Sequence, residues 1–138
     1  MKREEMIGVI ERFFQTMNDH DVDKMAEFCT QGIVADEVAE HKPLTGMGAF
    51  KKAYSDVFGG YPDCTAEVEE TFVDGNAVIC QVRWKATNRG VFRGVEPTGK
   101  PVDLRIAYFF RFKGGKIDKI TEYYDLATLL VQQGQLEL

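Results

Sequence analysis

The chain is poor in the residues that build metal centres and covalent scaffolds. Its 138 residues include only 3 cysteines, 2 histidines, 4 prolines and 1 tryptophan. Cys29, Cys64 and Cys80 are odd in number, far apart and without a Cys-x-x-Cys pair, so they offer no disulfide framework. His20 and His41 share no ligand spacing with them or with each other, which argues against a structural zinc site. Each cysteine reads as a small buried hydrophobe of a reducing compartment. No apolar run approaches membrane-spanning length, and Met1-Lys2-Arg3-Glu4-Glu5 leads into a helical pattern rather than a long apolar segment. A cytoplasmic location with no membrane partner is therefore expected. Excess basic charge is also lacking: 17 Lys plus Arg stand against 22 Asp plus Glu, a net charge of −5. With no Lys/Arg stripe to meet a phosphate backbone, nucleic acid is not an expected partner.

What is present is the ordinary mix of a globular domain, 44% hydrophobic against 28% charged. At this length roughly 68% of the unfolded surface can be buried, enough for a core without metals or disulfides. Met6, Val9, Ile10, Phe13 and Met17 share one helix face, ended at Asn18-Asp19-His20. A second short helix follows Asp21, with Val22, Met25, Phe28 and Cys29 as its apolar side. Ile33 to His41 reads as a strand, and Gly48 to Phe58 as a third helix stopped by Gly59-Gly60-Tyr61-Pro62.

From Thr65 the period changes to two. A strand reaches Val73, turns at Asp74-Gly75-Asn76 and returns from Ala77 to Thr87 with Val78, Cys80, Val82 and Trp84 on one face. A Gly- and Pro-bearing loop from Asn88 to Pro101 follows, and loops of this length border binding sites. In the longest strand Val102, Leu104, Ile106, Tyr108, Phe110 and Phe112 alternate with Asp103, Arg105, Ala107, Phe109, Arg111 and Lys113. Gly114-Gly115 leads to a last strand, Lys116 to about Tyr124, and Leu126 to Val131 forms a helical tail. Helices followed by an antiparallel meander predict an α+β fold: three N-terminal helices on a strongly curved, mixed but mostly antiparallel sheet, forming a cone with an internal pocket. No repeat or linker divides residues 1–138, so a single domain is expected.

This order of elements resembles the nuclear-transport-factor-like cone fold, whose members include ketosteroid isomerases, limonene epoxide hydrolases, scytalone dehydratases and SnoaL-like polyketide cyclases. Gly94-Val95-Glu96-Pro97-Thr98-Gly99-Lys100-Pro101-Val102 is similar to the Gly-x-x-Pro-Thr-Gly-Lys loop of the SnoaL-like group. Gly115-Lys116-Ile117, Tyr123-Tyr124-Asp125 and Leu129-Leu130-Val131-Gln132-Gln133 are similar to its closing strand and tail. The resemblance implies a pocket for a small hydrophobic, carbonyl-bearing molecule. It also implies proton transfer next to a carbonyl, as in polyketide cyclisation or isomerisation, without metal or organic cofactor. Cone folds also serve as non-catalytic binding or association domains, so fold alone does not decide.

The group's acid/base aspartate on the closing strand implies that role for Asp125. The residues alone equally allow Asp125 to cap the tail helix. His41 ends the first strand on the parity of Ile33, Ala35 and Ala39, where an imidazole could donate to a ligand or simply end the strand. Asp36 lies on the opposite parity. Trp84, Tyr108, Tyr123 and Phe92 are candidate substrate-binding walls, the first three with a polar handle. Epoxide hydrolases of this fold use an Asp-Arg-Asp trio, and Asp103-x-Arg105 supplies two members, but on the face away from the core. There a cross-strand ion pair or dimer contact is the simpler reading. The parity of the last strand stays open, because Ile117 and Ile120 lie on opposite faces of a regular strand. Finally, Ala107 and Phe109 between Arg105 and Arg111 give the outer sheet face an apolar patch, which predicts a homodimer.

Overall fold

The computed structural model describes residues 1–40 and 42–138, so the candidate His41 lies outside the described residues. Helix α1 (Arg3–Asn18) and helix α2 (Val22–Glu27) open the chain, and strand β1 (Cys29–Glu37) follows directly. The pair β2 (Leu44–Thr45) and α3 (Met47–Gly60) precedes the meander β3 (Thr65–Asp74), β4 (Ala77–Thr87), β5 (Pro101–Lys113) and β6 (Lys116–Tyr123). Helix α4 (Leu126–Gln132) closes the chain. The strands form one six-stranded sheet in the order β2-β1-β6-β5-β4-β3. All neighbours are antiparallel except β1 and β6, which run parallel. This is the predicted α+β cone, with a fourth helix in the tail and a short strand, β2, that period-two reasoning passes over.

The alternation read from β5 holds residue by residue. Val102, Leu104, Ile106, Tyr108, Phe110 and Phe112 are all buried, as are Val78, Cys80, Val82 and Trp84 on β4. Helix α1 lays its apolar stripe on this face. Phe13 meets Phe110 edge-on at 5.7 Å, and Phe14 meets Tyr108 at 5.3 Å and Phe110 at 5.6 Å. Such pairs add about 0.5–1.5 kcal/mol each beyond their burial. The end of α1 is stitched to β3 by Asn18, whose Nδ2 donates to the Ala66 carbonyl at 2.9 Å while its Oδ1 accepts the Ala66 amide at 2.7 Å. The three cysteines are buried and unpaired, and burial raises their thiols, Cys29 to about 12 and Cys64 to about 11.

Two irregularities move elements from their expected limits. Strand β1 begins at Cys29 rather than Ile33, because its pairing with β6 shifts register between Cys29 and Val34 and so carries the strand across Gly32. Strand β6 is bulged: Phe112 faces Ile117 and Arg111 faces Lys119, leaving Asp118 as the extra residue. Thr30 Oγ1 donates to the Asp118 carboxylate at 2.7 Å and holds the bulge. The bulge lets both Ile117 and Ile120 point into the core, where each is buried, and puts Glu122 on the inner face two residues beyond Ile120.

Candidate active site

One line of register crosses the inner face of the sheet. Glu37 of β1 pairs with Glu122 of β6, Glu122 with Tyr108 of β5, and Tyr108 with Cys80 of β4. Side chains in register on adjacent strands stand about 5 Å apart on the same face. Two carboxylates and a phenol are therefore held side by side by backbone pairing alone.

Around this row lies a cavity in two connected parts. The inner chamber, about 60 Å³, is walled by Phe58 and Val57 of α3, Trp84 of β4, Leu104, Ile106 and Tyr108 of β5, and Leu129 of α4. The outer chamber, about 340 Å³, opens between β1, α3 and the loop after β4, past Asp36, Glu40, Lys42 and Asp56. Glu37, Tyr54, Val57, Phe92, Arg93 and Glu122 border both. The inner part admits a few waters or the end of a ring, and the outer part a compact molecule.

What surface Glu122 keeps faces this cavity. Burial, reinforced by the charge of Glu37, raises its carboxyl from the ordinary value of 4.5 to about 8, although the Tyr54 hydroxyl donates to its Oε1 at 2.8 Å and pulls the other way. Tyr54 is itself pushed well above 10 by burial and by Glu122, which keeps it a neutral donor. The Glu37 carboxyl is also raised by burial, an effect opposed by Tyr124 and Arg93 and supported by Glu40. Tyr108 is raised well above 10, first by burial and then by Glu122 and Glu37, and its side chain opens onto the cavity. An apolar chamber thus holds a carboxyl that titrates close to neutrality beside a phenol that stays protonated. That combination can pass a proton to and from carbon while a donor steadies the oxygen charge that develops.

The loop from Asn88 to Pro101 covers the mouth. Its base is fixed where the amides of Arg89 and Gly90 donate to the Gly60 carbonyl at 3.1 and 3.0 Å. Glycine is required at 90, since a Cβ there would lie 2.1 Å from the Gly59 carbonyl oxygen. This close approach seats Phe92 over the cavity, edge-on to Tyr61 at 5.5 Å. Tyr61 in turn meets Trp84 at 5.0 Å and donates its hydroxyl to Gln133, tying the tail to the cavity wall.

Of the candidate residues, Trp84, Tyr108 and Phe92 meet in the cavity. Tyr123 and Asp125 do not. Tyr123 is 49% exposed on the outer face against Phe109. Asp125 caps α4, accepting the Ala127 and Thr128 amides at 3.0 and 3.4 Å and the Thr128 hydroxyl at 2.9 Å. Its carboxylate borders an open polar groove with Arg83, Asp103, Arg105 and Thr128, outside the cone. The carboxyl inside is Glu122, three residues earlier. Asp103 and Arg105 point outward as expected: Arg83 clasps Asp103 through two hydrogen bonds of 2.7 and 2.9 Å, and Arg105 lies 3.4 Å from Glu69. Sequence reasoning missed Glu37, Tyr54, Arg93 and Glu122. Glu37 had a signal, because it shares the odd parity of Ile33 and Ala35. Glu122 had one in the conflict between Ile117 and Ile120, which a bulge resolves.

The sequence profile of the SnoaL-like polyketide cyclases matches residues 8–133. The chain belongs to that family. Comparison with curated proteins gives no match. Among solved structures, a protein assigned as a SnoaL-like polyketide cyclase from Jannaschia sp. CCS1 is 22% identical, covering 97% of this chain and 94% of its own, with a TM-score of 0.88. AclR from Streptomyces galilaeus, assigned as a hydroxylase, is also 22% identical, covering 99% and 89%, with a TM-score of 0.85. A protein of ketosteroid-isomerase-like fold from Catenulispora acidiphila is 13% identical, covering 93% of each chain, with a TM-score of 0.81. These neighbours share the cone of this SnoaL-like protein, and their differing assignments leave the chemistry to the residues lining the cavity.

Proposed function

We propose that the protein is an enzyme that moves a proton next to a carbonyl in a compact hydrophobic substrate, closing or isomerising a ring by the aldol-type chemistry of a polyketide cyclase. The observation that carries this reading is the register row. Glu122, with a carboxyl that titrates near 8, stands beside the neutral Tyr108 hydroxyl at the floor of an apolar cavity. Glu122 takes the proton from carbon and returns it later, Tyr54 holds its carboxyl in place, and Tyr108 donates to the enolate oxygen. Trp84, Phe58, Leu104 and Ile106 supply the apolar walls. Asp125 belongs to helix capping in this reading, and the role first assigned to it falls to Glu122. A carboxyl with an ordinary value is a weak base at pH 7. One near 8 is a far stronger base that is still ionised in roughly a tenth of molecules at pH 7.

The test is wash-out of deuterium from the carbon next to the carbonyl of a bicyclic ketone, followed by NMR. Exchange above the buffer rate is expected, rising with pH through about 8, lost in Glu122→Gln and weakened in Tyr108→Phe. Ligand binding without any catalysed exchange across such ketones would favour the rival reading, a non-catalytic binding module.

The proposal extends to assembly as a homodimer. Phe109 and Tyr123 pack edge-on at 5.6 Å on the outer face of the sheet, and Phe72 on the same sheet is 56% exposed. A two-fold copy is the commonest cover for such a face. A dimeric mass by light scattering at micromolar concentration is expected, and a monomer there overturns it.

A further inference from the structure

Arg93 stands at an unusual place for an arginine. Phe92 and Val95 form a minimal antiparallel bridge, with the Phe92 amide donating to Val95 O at 3.2 Å and the Val95 amide to Phe92 O at 3.0 Å. The two residues between them, Arg93 and Gly94, both have positive φ, 55° and 72°. That is the backbone of a two-residue hairpin turn, where Asn, Asp or Gly is the favoured first residue. A long side chain held in the left-handed region is strained, and strain that persists at a site points to what the side chain does there.

From this tip the guanidinium reaches across the cavity mouth. Its Nη2 lies 3.1 Å from Glu37 Oε1, 2.5 Å from Glu40 Oε1 and 3.1 Å from the Tyr124 hydroxyl, while its Cζ sits 4.7 Å over the ring of Phe92. Only 30% of the Arg93 side chain remains exposed, against 27% for Glu37. These contacts bind one member of the carboxyl pair and leave the other alone. Among the described residues, Glu37 faces Arg93 from the loop, Tyr124 from the end of β6 and Glu40 from beyond β1. Glu122 faces Tyr54 from α3, Tyr108 from β5 and Glu37 from β1. Asp36, Lys42 and Asp56 edge the outer chamber that both carboxyls share.

We propose that Arg93 is a positioning residue that selects the proton carrier: by clasping Glu37 it keeps that carboxylate ionised and reserves the pair's single proton for Glu122. This role rests on the reading of Glu122 as the acid/base and deepens it. Two carboxyls in register titrate as a pair, and with nothing to distinguish them each would hold the proton part of the time. Burial raises the Glu37 carboxyl, and the Tyr124 hydroxyl and the Arg93 guanidinium oppose that rise by favouring the charged form of the carboxylate they touch. The charge left on Glu37 then adds to burial in raising the Glu122 carboxyl. The same side chain ties the hairpin tip beside Phe92 to Glu37, Glu40 and Tyr124 across the mouth of the cavity.

The experiment needs no substrate: the glutamate carboxyls, labelled with carbon-13, are titrated by NMR in the wild type, in Arg93→Asn and in Arg93→Lys. In the wild type the upper step, near pH 8, is expected on Glu122 alone. Asparagine suits the turn, so Arg93→Asn should keep the fold while the upper step appears on both carboxyls with comparable amplitude. Arg93→Lys restores a cation and should return the step mostly to Glu122. An upper step that stays on Glu122 alone in a folded Arg93→Asn overturns the role of Arg93 and leaves the reading of Glu122 standing. A wild-type Glu122 that titrates near 4.5 overturns both. Should Arg93→Asn fail to fold, Arg93→Gly, which the positive φ at 93 accepts without strain, takes its place with the same two outcomes: an upper step shared by both carboxyls supports the role of Arg93, and one that stays on Glu122 alone overturns it.

Discussion

Glu122 and Asp103 are carboxyls on neighbouring strands of one sheet, yet their chemistry diverges. Asp103 is on the outer face, clasped by Arg83, and its carboxyl is lowered by that hydrogen bond. Glu122 is on the inner face, without an ion pair among the described residues, and is raised to about 8. Acidity here is set by which side of the sheet a residue faces and by what the neighbouring strand puts beside it. A carboxylate with a dedicated arginine in water is a structural group. A carboxyl buried beside another carboxylate, with the arginine on that neighbour, holds its proton to higher pH.

The sharpest way to break this contrast is to change the two carboxyls in turn and follow stability against pH. The folded value of Glu122 lies above that of the unfolded chain, so between about 4.5 and about 8 the folded protein keeps a proton that the unfolded chain has released. Its contribution to stability is present below that window and is lost as pH rises through it. Glu122→Gln keeps an acceptor for the Tyr54 hydroxyl but has nothing to titrate. Denaturant midpoints should fall across this window in the wild type and flatten in the variant, a difference on the order of 5 kcal/mol at pH 9. Parallel curves would contradict the burial of the charge. A smaller effect is expected at the helix cap: Asp125→Ala should cost about 1 kcal/mol in chemical denaturation and leave the deuterium wash-out rate unchanged. A large loss of exchange in that variant would return the acid/base role to Asp125. Smallest of all is Asp103→Asn, in which neither the wash-out rate nor the melting temperature should move measurably, because exposed pairs contribute little.

How far the sequence reaches can be seen strand by strand. The faces of β4 and β5 were legible because regular alternation over long strands leaves one choice of core face. That alone placed Trp84 and Tyr108 in the cavity. The length and the Gly- and Pro-bearing composition of the loop after β4 put Phe92 beside a binding site. Strand β6 was illegible for a physical reason: its inner face depends on the bulge at Asp118, and a bulge is a property of pairing with β5, not of β6 alone. The Tyr-Tyr-Asp match then drew attention to Asp125, and with it Tyr123, while the residue facing inward was Glu122. Arg93 was hidden because an arginine in a left-handed turn runs against local preference. Its place only makes sense once Glu37 and Tyr124, far away in sequence, are seen beneath it.

The parallel pairing of β1 with β6 has a consequence for how the protein comes into being. Glu37 is synthesised early and Glu122 near the end, so the two meet only through the most non-local strand pairing in the sheet. Contacts of that kind carry a large loop-closure cost and form late. Until β6 arrives, β1 has an open edge on the side where Glu122 will stand beside Glu37. The pairing of the two inward carboxyls is therefore among the last contacts to form, and a chain ending before Lys116 would lack Glu122 together with the core residues Ile117 and Ile120.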